Sequence, residues 1–179
     1  MNTRIEKDYY FQTGVHYQDT FWINSYAITL SMLVEQCDNP DEPSIAVGRA
    51  THYIRNVIQN SVLVDENDQE SVEKYENAGL KVCKLPAEPH DEIFASLLLL
   101  KLNAIMRGRV QITDLILGSE LSEGVRYNIV SEVAENCYPG SYWWNKSDLS
   151  ISDEEPNNES NIVKLFDDNE WIALELGWK

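Results

Sequence analysis

Residues 91–107 constrain the fold more than any other stretch of the chain. Ile93, Phe94, Leu97, Leu98, Leu99, Leu100, Leu102, Ala104, Ile105 and Met106 point in nearly every direction around a helix. A helix that is apolar all round is a buried one, so the other elements must cover it on every side. Asp91 and Glu92 in its first turn and Arg107 in its last suit the helix dipole, and Gly108 stops it. No apolar run approaches the roughly 18 residues that a bilayer span needs, and Lys101 interrupts this one.

The covering elements are read from periodicity. Residues 21–34 alternate, with Trp22, Tyr26, Ile28, Leu30, Met32 and Val34 on one face and Ser25, Thr29 and Ser31 on the other, which predicts a half-buried strand. The first 20 residues, aromatic at Tyr9, Tyr10, Phe11 and Tyr17, read as an edge strand or hairpin arm leading into it. After turn chemistry at 37–43, Ala46, Ala50, Tyr53, Ile54, Val57 and Ile58 follow the helical period, with Ser44 as a candidate cap. A short surface helix is expected after Asp68, ended by Ala78-Gly79, and a strand over 80–85. Residues 110–117 and 125–130 alternate as strands joined by a hairpin loop. The fold class expected is α+β: a mainly antiparallel sheet with two helices on one face, loosely split βαβ, plus a C-terminal hairpin appendage. Residues 1–146 form the α+β domain in this reading, 147–160 an acidic linker or loop, and 161–179 a hairpin packing on the domain.

Composition bears on function rather than fold. Of 179 residues, 43% are hydrophobic, ordinary for a globular domain, but 14 Lys and Arg stand against 30 Asp and Glu, a net charge of −16. Such a surface disfavours direct binding to nucleic acid or to an anionic membrane, because both need basic groups. The N-terminus has no apolar stretch behind its basic residues, which argues against a signal peptide. Cys37, Cys83 and Cys137 are odd in number and far apart, and suit a reducing cytoplasm better than a disulfide framework.

Chemical motifs are sparse. The cysteines and His16, His52 and His90 lack the short paired spacing of a zinc site. Residues 65–76 space their oxygens like a calcium loop, but Glu70 stands where the sharp turn requires glycine. Gly118-Ser119-Glu120 is not a nucleophile elbow, and no glycine-rich phosphate loop occurs. His90-Asp91-Glu92 reads as a helix start. No catalytic residue, metal or cofactor is therefore expected. A small enzyme or ligand-binding domain with a site dispersed over His16, Asp19, His52, His90 and Arg126 is one alternative, and a structural or assembly subunit is another.

The reading favoured is a non-catalytic, cytoplasmic interaction protein that binds a basic protein partner. Carboxylates at regular spacing imitate phosphates, so the partner class is a nucleic-acid-acting enzyme and the role that of a phage-type or immunity-type inhibitor. Asp65, Glu66 and Asp68 in one acidic block, and Asp153, Glu154 and Glu155 in another, are the candidate contacts. Trp143 and Trp144 join them, because two adjacent tryptophans beside Pro139-Gly140 are not both expected in one core, and exposed indoles anchor interfaces. Self-association through edge strands or exposed aromatics is a further expectation.

Overall fold

The structure, a computed structural model, describes residues 3–34 and 41–153. It opens on a long hairpin. Strands β1 (Thr3–Tyr17) and β2 (Thr20–Val34) pair antiparallel from Thr3 opposite Val34 to Tyr17 opposite Thr20. Gln18 and Asp19 form the turn with φ of 49° and 57°, the left-handed backbone that matches the twist of a two-residue hairpin. Helix α1 (Glu42–His52) continues into a wider π-helical stretch, Tyr53–Ile58. Strand β3 (Val62–Asp65), helix α2 (Gln69–Asn77), strand β4 (Val82–Leu85) and helix α3 (Asp91–Met106) follow. The described part closes with β5 (Val110–Ser119), β6 (Arg126–Val130), helix α4 (Ser131–Cys137) and a 3-10 turn at Trp143–Asn145.

The strands make one six-stranded sheet in the order β4-β3-β1-β2-β5-β6. β1, β2, β5 and β6 pair antiparallel, whereas β3 runs parallel to both β1 and β4. The sheet is thus mixed: mainly antiparallel, as expected, but not purely so. The difference comes from β3: Val62, Leu63 and Val64 are all buried, so this strand of a parallel βαβ unit shows no alternation to read. The described residues hold four helices rather than two. Leu63, Cys83 and Leu85 face the main core with α1, α3 and α4, while Val62, Val64 and Val82 pack on Val72 and Tyr75 of α2. Helix α2 therefore covers the opposite face of the sheet.

Local chemistry explains most boundaries. Asp68 caps α2 by accepting a hydrogen bond from the Ser71 amide at 3.1 Å. Helix α1 starts at Glu42, with Asp41 at the cap position and Pro43 in the first turn, so Ser44 lies inside it. Arg107 ends α3 at φ 53° and Gly108 follows at φ 74°. Gly14 lies close under the Phe21 ring, which a Cβ there would meet at 2.6 Å, so the half-exposed ring would have to shift. A bulge at Thr113, between the Ser31–Asp114 and Met32–Ile112 pairs, keeps Ile112 and Leu115 both facing inward. No helix among the described residues is long and apolar enough to cross a membrane.

Helix α3 is the centre of the core, with Phe94, Leu97, Leu98, Leu99, Leu102 and Ile105 all buried. Leu98→Ala or Leu102→Ala is expected to cost about 2–5 kcal/mol of unfolding free energy in urea titrations. A midpoint unchanged by both substitutions would remove α3 from the core.

Candidate acidic interaction surface

The site is built on a buried cation. Lys101 lies in the middle of α3 with its side chain fully buried (0% exposed). Its ammonium donates to the carbonyls of Trp143 and Lys146, both at 2.9 Å, to Asp148 Oδ1 at 3.0 Å and to Ser150 Oγ at 3.2 Å. Tyr53 Oη adds a hydrogen bond to the Ser150 carbonyl at 3.0 Å. Residues 143–153 are thereby strapped across α3 toward the sheet edge.

The strap does two things there. Strand β4 is the outermost strand on its side, and alternate residues of an edge strand turn their N–H and C=O outward. On β4 one such residue is Lys84. Its N–H donates to the Ile151 carbonyl at 3.0 Å, and its carbonyl accepts from the Trp143 indole at 2.9 Å. Leu149 and Ile151 pack against the core. The strap also carries Asp153 to the C-terminal ends of β3 and β4, beside Asp65 and Glu66. The Glu66 carboxyl is raised above its ordinary pKa by partial burial, then by the nearby charges of Asp153 and Asp65, with Lys84 opposing. Asp153 thus lies beside Asp65 and Glu66, which are nearly ninety positions away in sequence.

Asp68 lies on the same rim. Its pKa is held down by its hydrogen bonds from the Ser71 hydroxyl and amide, and His16 helps. Two lysines moderate the surface: Lys84 pairs with Glu76 at 3.0 Å, and Lys146 with Asp153 at 2.9 Å. Glu154 and Glu155 lie outside the described residues, as does the expected hairpin at 161–179; residues 147–153 of the expected linker lie against the body.

Trp143 and Trp144 are 2% and 3% exposed, so neither indole presents surface to a partner. The expectation that the pair could not share one core is corrected. Their rings meet edge to face at 80°, and each N–H finds a carbonyl: Lys84 for Trp143, and Tyr138 at 3.2 Å for Trp144. The sequence did not mark Lys101 as a site residue. Its signal was present, because a lysine within an all-round apolar helix demands a built set of acceptors.

The residues of the dispersed-site alternative sit in different settings, Asp19 in the turn between β1 and β2. His16 sits against α2, with Nδ1 2.8 Å from Tyr75 Oη, and Nε2 3.0 Å from Ser71 Oγ and 3.3 Å from Asp68 Oδ2. Both ring nitrogens are thus taken up in docking α2 on the sheet, and Ser71 is itself 8% exposed. His90 stacks edge-on against Tyr17, while His52 bonds Asn56 on the helix face. Arg126 lines an open depression of about 630 Å³ on the sheet face, with Tyr10, Gln12, Ser25, Glu120 and Val125. Asp91 is buried at the start of α3 and accepts hydrogen bonds from Ser119 at 2.6 Å and from Ser122, which pins the β5–β6 loop. The Cys83 thiol is buried and pushed up to about 12, Cys137 is exposed, and Cys37 lies outside the described residues.

No family model matches the chain, and no curated protein matches it. The crystal structure of an uncharacterized protein from Wolinella succinogenes is similar: it is 12% identical with a TM-score of 0.51, and the match covers 73% of this chain and 98% of that one. This likeness shows the fold alone.

Burial lowers the Lys101 pKa to about 8, against the pull of Asp148. Burial raises the Asp148 carboxyl, but the Ser150 hydroxyl and Lys101 outweigh it and the net shift is downward. Lys101→Met, which leaves those acceptors without a donor, is expected to cost about 3–5 kcal/mol. A depressed lysine contributes stability that is present above its unfolded pKa near 10.5 and is lost as pH falls through about 8. The wild-type advantage over Lys101→Met should therefore grow from pH 7 to pH 10 in chemical denaturation. An advantage that shrinks over this range would contradict the burial of a charged ammonium.

Proposed function

We propose that the chain is a non-catalytic interaction protein whose acidic surface, formed by Asp65, Glu66, Asp68 and Asp153, engages a basic protein partner. Glu154 and Glu155 follow in sequence and belong to the same proposed contact. The observation that supports this reading is the position of Asp153 beside Asp65 and Glu66: the strap brings Ile151 onto Lys84 of β4, and both charges act on the partly buried Glu66 carboxyl. With a net charge of −16, such a rim attracts cationic surfaces over long range and repels nucleic acid. The partner class is a nucleic-acid-acting enzyme whose phosphate-binding groove receives the carboxylates, and the role is that of an inhibitor or immunity-type protein. Trp143 and Trp144 have no part in the contact, since both serve the core.

The test is kinetic. Association with the partner captured from the source cell should be fast at low salt and slow steeply as salt rises, because exposed charges are screened over about 10 Å at 0.1 M. Charge reversal of Asp65, Glu66 and Asp68, or of Asp153, Glu154 and Glu155, should slow association to a similar degree. Reversing both blocks should do less than the two effects combined, because they share one surface. Reversing Glu66 and Asp153 alone should change thermal stability little, since both are exposed, whereas reversing Asp68 also removes the α2 cap and should cost about 0.5–2 kcal/mol. Association insensitive both to salt and to the reversals would exclude the acidic surface as the docking face.

A further inference from the structure

Strand β1 has a second edge that the sheet leaves unused. β2 lies along one side of it for its whole length, but on the other side β3 reaches only Gly14 and Val15. The backbone shows which residues turn their amides that way: Gly14 N–H donates to the Ser61 carbonyl at 2.8 Å, and the Gln12 carbonyl accepts from Asn60 N–H at 2.9 Å. Alternate residues of a strand share a direction, so Arg4, Glu6, Asp8 and Tyr10 point their N–H and C=O groups to the same side. Among the described residues no strand lies beyond them. An edge this long is a template for another strand unless it is blocked.

Its charges do not block it. Arg4, Lys7, Glu6 and Asp8 alternate in sign, so the stretch is locally neutral in a chain of net charge −16. Two copies repel least there. A two-fold axis between antiparallel β1 strands allows only registers that set outward-pointing residues against one another, and charge discriminates among them. Centred on Arg4, Glu6 or Asp8, the pair sets like charges directly opposite, and centred on Lys7 it opposes Lys7 to itself and Glu6 to Asp8. Centred on Ile5, it sets Arg4 of each copy against Glu6 of the other, with Ile5 facing its counterpart and Thr3 facing Lys7. Opposite charges directly across a ladder stabilise it, and like charges destabilise it.

We propose that the chain forms a two-fold dimer by antiparallel pairing of residues 3–7 of β1 with the same residues of a second copy, in the register that sets Arg4 against Glu6. The two hydrogen-bonded residue pairs each exchange two backbone bonds across the axis, and the two sheets become one. The paired stretch lies at the far end of β1 from Gln12, where Asn60 occupies the edge, so the strand β3 does not obstruct it.

The test is sedimentation equilibrium over a concentration series with the full chain. The wild type should be a dimer. Arg4→Glu alone and Glu6→Arg alone should each raise the dimer dissociation constant by about tenfold or more, since each places like charges at two symmetric contacts. Mixed one to one, the two variants should restore the dimer as a heterodimer, because one chain then presents two acidic and the other two basic side chains at these positions. The double exchange Arg4→Glu with Glu6→Arg should also dimerise. At concentrations where every protein is monomeric, the melting curves of all variants should coincide near the wild type, since the only ion pair lost among the described residues, Arg4–Asp114 at 3.4 Å, lies at the surface. A monomeric wild type, a dimer indifferent to both single reversals, or a mixture that stays monomeric would each overturn the proposal. So would protection of the Arg4 and Glu6 amides from hydrogen exchange only on addition of a different protein, which would assign the edge to that partner.

Discussion

One ammonium group organises the described part of the chain beyond its helical core. Lys101 is buried within the most apolar helix, where an unpaired charge would be very costly. Four oxygens offset that cost, and all four belong to residues 143–150. An apolar residue at position 101 would fit the helix pattern and avoid desolvation, but it would leave the strap only its anchors at Tyr53, Lys84 and the core packing of Leu149 and Ile151. Because the strap is held there, the outward amide and carbonyl of Lys84 on the edge strand find partners. For the same reason Asp153 stands beside Glu66. A buried charge network here specifies an arrangement more than it adds stability, the better-attested use of such groups.

Elements with a strong local period were legible in the sequence. Helix α3, strands β2, β5 and β6, and α2 with its Asp68 cap all follow from repeats or turn chemistry carried within the element. What was hidden depends on residues far apart in the chain. Strand β3 is four residues long and buried on both faces, so it shows no alternation, and the parallel half of the sheet went unread with it. Helix α4 buries only Ser131 and Ala134, too little to leave a pattern. Trp143 and Trp144 looked too polar in setting to be buried together, because the carbonyl that satisfies Trp143 lies 59 positions away, on Lys84. The acidic blocks were visible as composition, but the place of Asp153 beside Glu66 was not, since it depends on where Lys101 holds the strap.

The same geometry separates two surfaces. The acidic rim lies at the C-terminal ends of β3 and β4, level with the Tyr17 end of β1, whereas the locally neutral edge lies at the Thr3 end. More than ten residues of extended strand separate them, roughly 35 Å at 3.3 Å per residue. A dimer through that edge would hold two acidic rims apart, and the repulsion between them would be small across several Debye lengths. Electrostatic attraction to a partner and self-pairing therefore need not compete for the same residues.

The nearness of Asp153 to Glu66 is most directly measured by titrating Glu66. Carboxyl ¹³C shifts followed against pH in the wild type should place Glu66 above the ordinary glutamate range. In Asp153→Asn, which keeps the partial burial but removes one neighbouring charge, the midpoint should move part of the way back down. Equal midpoints in the two proteins would show that Asp153 does not stand beside Glu66, and the single acidic surface would be lost with it.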